Sequence, residues 1–181
     1  MTAGQQLVPA VVALGSNLGD RGATLRTAVA GLRAAPAVQL SAVSAVYETE
    51  PVGGPEQPRY LNAVALLLTS RTPAELLELC HEVEAAHGRE RRERWGARTL
   101  DLDVITVGEP GTPSEVLSTD PVLTLPHPRA HERAFVLAPW CQVDPLARLR
   151  LPTGEVAPVA DLLARAADRD GVQRADVAGL A

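Results

Sequence analysis

The sequence predicts an α+β sandwich, an antiparallel sheet carrying helices, with further elements toward its end. Three observations carry this. Hydrophobic periodicity alternates between two residues and 3.6 residues in the order βαββαβ up to Val107. The second helical stretch is bracketed by a capping box, Thr72-Pro73-Ala74-Glu75, with Pro at the first helical position, and by Gly88 as a stop. The composition, 46% hydrophobic and 22% charged over 181 residues, suits one packed domain.

Taken in order, residues 7–14 form a Val-rich apolar run that reads as a buried strand. The turn Gly15-Ser16-Asn17-Leu18-Gly19-Asp20 breaks it, and Asp20 is a suitable N-cap. Leu25, Ala28, Val29 and Leu32 recur at helical spacing, which predicts a helix over about 21–34. Residues 38–47 alternate and read as one strand with an irregularity. Pro51, Pro55, Pro58, Gly53 and Gly54 make residues 49–59 a loop. Residues 60–69 are the next strand. Leu76, Leu79, Cys80, Val83 and Ala86 form the buried stripe of the second helix, with Glu84 at its solvated edge. Residues 99–107 give the fourth strand and 108–118 a polar turn region. Residues 123–133 are irregular, 134–140 suit a short helix, 155–169 contain a last amphipathic helix, and the end reads as a frayed tail. The order is that of a ferredoxin-like βαββαβ sandwich plus C-terminal additions, with helices expected over one face of the sheet.

Charge and composition exclude several functions. The net charge is −5, and the sequence pI is about 5.4. No basic field for nucleic acid or anionic lipid is implied. Residues 1–7 carry no Lys or Arg and do not read as a signal peptide. The longest apolar runs are too short to span a bilayer. Cys80 and Cys141 are far apart and form no metal or redox motif. A cytoplasmic protein without membrane, nucleic-acid or obligate protein partner is expected. All 17 basic residues are Arg. The absence of lysine removes the P-loop, the kinase strand lysine and Schiff-base chemistry.

The sharpest local feature is Asp101-Leu102-Asp103 inside a strand. The two carboxylates project from one face while Leu100, Leu102 and Val104 face the other. Either a divalent cation sits between them, as Mg²⁺ would with phosphates and waters, or the face is solvated and paired with Arg. Just upstream lie Arg89, Arg91, Arg92, Arg94 and Arg98. Mixed with Glu90 and Glu93, they have the composition of a solvated face. Beside paired carboxylates, however, such guanidinium forks suggest a Mg²⁺–polyphosphate site. The segment is charged with few apolar anchors and reads as mobile. Tyr60 and Asn62 share a strand face, suited to a flat heterocycle or to a half-buried sheet edge. His127, between two prolines, is either a fixed turn residue or a ligand. Phe135 is either core or a stacking platform. The Gly15-to-Asp20 turn is a weak anion-holding candidate.

These motifs together resemble the 6-hydroxymethyl-7,8-dihydropterin pyrophosphokinase family of the folate pathway, from about Ala13 to Pro139. The most specific block is Arg94-Trp95-Gly96-Ala97-Arg98-Thr99-Leu100-Asp101-Leu102-Asp103-Val104-Ile105. It is supported by residues 13–21, 47–53, 57–62, 125–129 and 133–135. The resemblance implies transfer of pyrophosphate from ATP to the pterin hydroxymethyl group, with release of AMP. It implies Asp101 and Asp103 as ligands of two Mg²⁺ ions and, with Arg89 and Arg98, as the catalytic set. It implies Thr49, Val52 (through its backbone), Tyr60, Asn62 and Phe135 at the pterin. It implies Glu84, Arg89, Arg91, Trp95, Arg98, Val104, Thr124, His127 and Arg133 at ATP. One pyrophosphokinase domain over 1–181 is expected, motif-bearing over about 7–146, with a C-terminal helix and tail in 147–181. An inactive pterin- or nucleotide-binding module is the alternative. A metal-dependent nuclease is disfavoured by the acidic charge.

Overall fold

A computed structural model describes residues 6–51, 57–87, 99–177 and 179–180. Its main sheet is built from β1 (Val8–Ser16), β2 (Val38–Val43), β3 (Tyr47–Thr49), β4 (Tyr60–Thr69), β5 (Asp101–Val107) and β10 (Val172–Arg174). The order is β10-β3-β4-β1-β5, with β2 also on β4, and every pairing is antiparallel. Helices α1 (Arg21–Ala34) and α2 (Pro73–Ala86) follow β1 and β4. Beyond β5 come the two-residue strands β6 (Ser118–Thr119) and β7 (Thr124–Leu125), then α3 (Ala134–Val143). The hairpin β8 (Arg148–Arg150) and β9 (Val156–Pro158) follows, and then α4 (Val159–Arg165).

Local chemistry sets these boundaries. Asp20 accepts from the Ala23 amide at 2.9 Å and caps α1. The Thr72–Glu75 box opens α2, with Glu75 Oε2 taking the Thr72 amide at 2.7 Å. The strand predicted over 38–47 is two segments, both paired to β4. Buried Ser44 separates them, because its Oγ accepts the Val64 amide at 2.9 Å in place of a backbone carbonyl.

The sheet is covered on both faces, not on one as predicted. On the first face Ala10, Val12, Leu14, Leu61, Ala63, Ala65, Leu67, Leu102 and Val104 pack against Leu25, Val29, Leu32 of α1 and Leu76, Leu79, Cys80 of α2. On the second, Val11, Val64 and Ile105 pack against Val136, Leu137 and Trp140 of α3 and Val159 and Leu162 of α4. Period-two alternation along β1, β4 and β5 sends neighbouring residues to the two cores. The described part of the tail is also not frayed. β10 pairs with β3 from Val172 opposite Thr49 to Arg174 opposite Tyr47, and Leu180 is buried in the first core. Among the described residues no helix is long and apolar enough to cross a membrane.

Candidate functional site

Helix α3 covers only part of the second face. Past its N-terminus the face is open and becomes the floor of a cavity of about 740 Å³. The floor is laid by alternate residues of adjacent strands: Ala13 and Gly15 from β1, Tyr60 and Asn62 from β4, Asp101 and Asp103 from β5, with Thr49 of β3 at the side. The strand phase that buries Val11, Val64 and Ile105 under α3 therefore delivers the polar residues to the cavity. His127, Arg133 and Phe135 form one wall, and Leu162, Arg165 and Asp168 another.

The floor is cross-linked. Asn62 Nδ2 donates to Thr49 Oγ1 at 2.8 Å, with both residues buried. Asn17 Nδ2 donates to Gln57 Oε1 at 3.0 Å and to the Pro58 carbonyl at 3.3 Å, and Tyr60 Oη donates to Gln57 Oε1 at 3.2 Å. Arg21 bridges Glu48 at 3.0 Å and the Arg59 carbonyl at 2.8 Å, while Arg59 pairs with Glu50. The turn after β1 thus clamps both flanks of the loop between β3 and β4. Ser16 Oγ donates to the Thr99 carbonyl at 2.6 Å and fixes the start of β5.

Asp101 and Asp103 face the cavity while Leu102 between them is core, as the alternation predicts. Arg133 Nη1 lies 3.9 Å from Asp103 Oδ2. Its Cζ lies 5.6 Å from the Phe135 ring centroid, so one guanidinium touches both the acidic and the aromatic parts of the site. Burial lowers the Arg133 pKa, and Asp103 opposes that shift. Burial, aided by Arg133 and Arg129, pushes His127 down to about 4. Its Nδ1 accepts the Arg129 amide at 3.3 Å, which assigns the proton of the neutral ring to Nε2.

Among the described residues no group of three or more His, Cys, Asp or Glu side chains could cage a metal ion. Two carboxylates side by side on an open polar floor fit a hard cation that keeps waters and binds substrate oxygens, which is Mg²⁺ chemistry. They do not fit a closed Zn²⁺ site.

The structure brings together Thr49, Tyr60, Asn62, Asp101, Asp103, His127, Arg133 and Phe135. Val52, Arg89, Arg91, Trp95 and Arg98 lie outside the described residues, as do Arg92, Arg94 and the Gly88 stop. Glu84, Val104 and Thr124 are not in the cavity lining. Glu84 is not solvated as predicted: it is 2% exposed, and Oε1 accepts the Leu102 amide at 2.7 Å. Among the described residues β5 is the last strand on its side of the sheet, so that amide points outward and Glu84 covers it. Val104 packs in the first core. Sequence reasoning missed Gln57, Arg129, Leu162, Arg165 and Asp168. The Pro-rich loop flanking Gln57 was one signal, and the Pro-His-Pro-Arg run was another; α4 falls within the helix predicted over 155–169, but nothing local marks it as part of the site.

A family model described as 7,8-dihydro-6-hydroxymethylpterin-pyrophosphokinase matches residues 11–145, a span that stops short of α4 and Asp168. A Mycobacterium tuberculosis protein named 2-amino-4-hydroxy-6-hydroxymethyldihydropteridine pyrophosphokinase is 47% identical over 170 residues, 90% of this chain and 87% of that one. Proteins of the same name from Bacillus subtilis and Pseudomonas aeruginosa are 46% and 40% identical, over 74% and 90% of this chain and 77% and 94% of theirs. Among solved structures, a Plasmodium falciparum HPPK-DHPS with pteroate superposes with a TM-score of 0.61 at 13% identity. It covers 89% of this chain, which spans only 43% of that longer protein. That likeness is one of fold.

Proposed function

The chain belongs to the 7,8-dihydro-6-hydroxymethylpterin-pyrophosphokinase family, and on that premise we propose how its residues divide the work. The enzyme transfers a pyrophosphoryl group from ATP to the hydroxymethyl group of 6-hydroxymethyl-7,8-dihydropterin in folate biosynthesis, leaving AMP and the pterin diphosphate.

The pterin end is the floor between Tyr60 and Phe135, whose rings both line the cavity and would sandwich the flat heterocycle. An Asn amide carries two donors and an acceptor. Thr49 takes one donor, which orients the rest of the Asn62 amide toward the pterin edge. Val52, by resemblance, adds backbone contacts from the loop.

The phosphate end is the Asp101–Asp103 edge of the same floor. Those carboxylates would hold Mg²⁺, two ions by resemblance to the family, and the metal supplies charge neutralisation on the triphosphate when bound. Arg133, already beside Asp103, would donate to phosphate oxygens. His127, neutral at cellular pH, would donate through Nε2. Arg89, Arg91, Trp95 and Arg98 join this end by resemblance. No side chain has to act as a strong base, because such transfers depend on positioning and on fixed charge.

The nucleoside end lies along the outer edge of β5. Val104 is two residues beyond Leu102 and pairs with β1 in the same phase, so its backbone N–H and C=O also face outward. That edge offers a donor and an acceptor to an adenine, between Glu84 of α2 and the segment from Thr124 to His127. The His127 amide is bonded to the Ile105 carbonyl at 2.8 Å. A single domain over 1–181 and a cytoplasmic location complete the reading.

The observation that carries this division is that Asp101 and Asp103 share one cavity floor with Tyr60, Asn62 and Thr49. Incubation with ATP, Mg²⁺ and the hydroxymethyl dihydropterin, followed by nucleotide chromatography, tests it. AMP formed only when pterin is present is the expected result. ADP as product, or binding of both ligands without turnover, contradicts it, the latter in favour of an inactive binding module.

A further inference from the structure

Helix α3 starts without a cap of its own. Arg133 occupies the N-cap position and makes no capping hydrogen bond from its side chain. The first amide of the helix, Ala134 N–H, is instead taken by a carboxylate 34 residues further along the chain: it lies 3.0 Å from Asp168 Oδ1 and 3.2 Å from Oδ2. An acidic oxygen at this point satisfies an amide that the helix cannot pair internally, and it complements the positive end of the helix dipole. Ala134 is buried and sits between Arg133 and Phe135, the two residues that this helix start contributes to the cavity. Asp168 lies at the start of a short 3₁₀ turn, Arg169–Gly171, which leads directly into β10. β10 pairs with β3, placing Val172 opposite Thr49, and the Ala175 amide bonds to the Val46 carbonyl at 2.9 Å. One short segment therefore ties the helix start that bears Phe135 to the strand that orients Asn62.

Resting on the pterin reading above, we propose that Asp168 is a positioning residue for the pterin end of the site. Its carboxylate fixes the Ala134 amide and thereby the height of the Phe135 ring over the floor. Arg133 also touches the Phe135 ring, but its guanidinium is anchored on Asp103, so the effect is larger at the pterin than at ATP.

Asp168→Ala and Asp168→Asn test this. In Asp168→Ala the Ala134 amide exchanges with solvent at least about tenfold faster. The KM for pterin rises roughly five- to tenfold, as loss of a helix cap allows, while kcat and the KM for ATP stay within about twofold. Asp168→Asn keeps an acceptor oxygen in place and recovers most of both effects. If Asp168→Ala does not fold, Asp168→Ser, whose hydroxyl stops short of the amide, replaces it with the same expectations. An unchanged Ala134 exchange rate overturns the proposal. So does a lowered Tm with both KM values unchanged, the mark of a purely structural tie. Asp168→Asn as damaging as Asp168→Ala overturns it too, since the charge would then meet substrate directly. The exchange measurement needs no turnover, so absence of pterin-dependent AMP from the wild type would refute the functional reading alone.

Discussion

The Asn62 amide donates to Thr49 Oγ1 across 2.8 Å, joining β4 to β3 beneath the cavity, and both side chains are buried. Asn62 is therefore oriented by a partner that touches the site only from the side. Thr49→Val keeps the shape and removes the acceptor. The expected result is pterin binding weakened roughly three- to tenfold, the worth of one buried hydrogen bond, with ATP-analogue binding unchanged. Titration calorimetry with each ligand checks this, and equal loss for both ligands would contradict it.

Gly15 makes a second claim on the same amide. A Cβ built on Gly15 would stand 3.3 Å from Asn62 Oδ1 and 3.9 Å from Tyr60 Cδ1. The first contact is tighter than usual, and Asn62 cannot retreat without leaving Thr49. Gly15→Ala is expected to raise the KM for pterin several-fold with only a small fall in Tm, because the added methyl crowds two side chains of the cavity floor and leaves the apolar cores untouched. Steady-state kinetics beside a melting curve decides it; an unchanged KM would show that the amide can yield.

Far from the site, Arg150 ties the β8–β9 hairpin to the loop after β5. Its Nε lies 2.9 and 3.0 Å from the two Glu115 oxygens and its Nη2 2.7 Å from Oε2, while the Gly111 amide adds another bond at 2.7 Å. The Arg150 guanidinium holds the Glu115 carboxyl below its ordinary value of 4.5. A depressed carboxyl contributes stability above its unfolded pKa and loses it as pH falls through the folded value. The Tm gap between wild type and Glu115→Gln should be full above pH 4.5 and should close as the solution is acidified below it. A gap that widens on acidification would reverse the sign.

Much of this architecture is legible in the sequence, for physical reasons. Asp20, the Thr72–Glu75 box and the apolar stripes of α1 and α2 are local signals, and those helices begin where their caps place them. Asp101, Asp103, Tyr60 and Asn62 reach one floor because strand alternation is a local rule. What was illegible depends on partners distant in sequence. The break at Ser44 arises from a bond to Val64 on another strand. Glu84 looks solvated on a helical projection, since only tertiary packing sets it against the Leu102 amide. α3, apolar over most of its ten residues, has no polar face to say which side of the sheet it covers. β10, three residues long, is too short for alternation to register. Asp168 reaches Ala134 across 34 residues.

The central claim is that one cavity floor does two separable things, holding the pterin through Tyr60, Asn62 and Phe135 and the charged phosphates through Asp101 and Asp103. Asp101→Asn and Asp103→Asn test it most directly, each removing a charge while keeping size. Pterin-dependent AMP release is measured at saturating Mg²⁺ beside the pterin dissociation constant. Turnover should fall by at least about 10²-fold in each variant, since metal-assisted charge stabilisation is worth several kcal/mol, while pterin affinity stays within about threefold. Near-normal turnover in both variants, or pterin binding lost in step with turnover, would contradict the account.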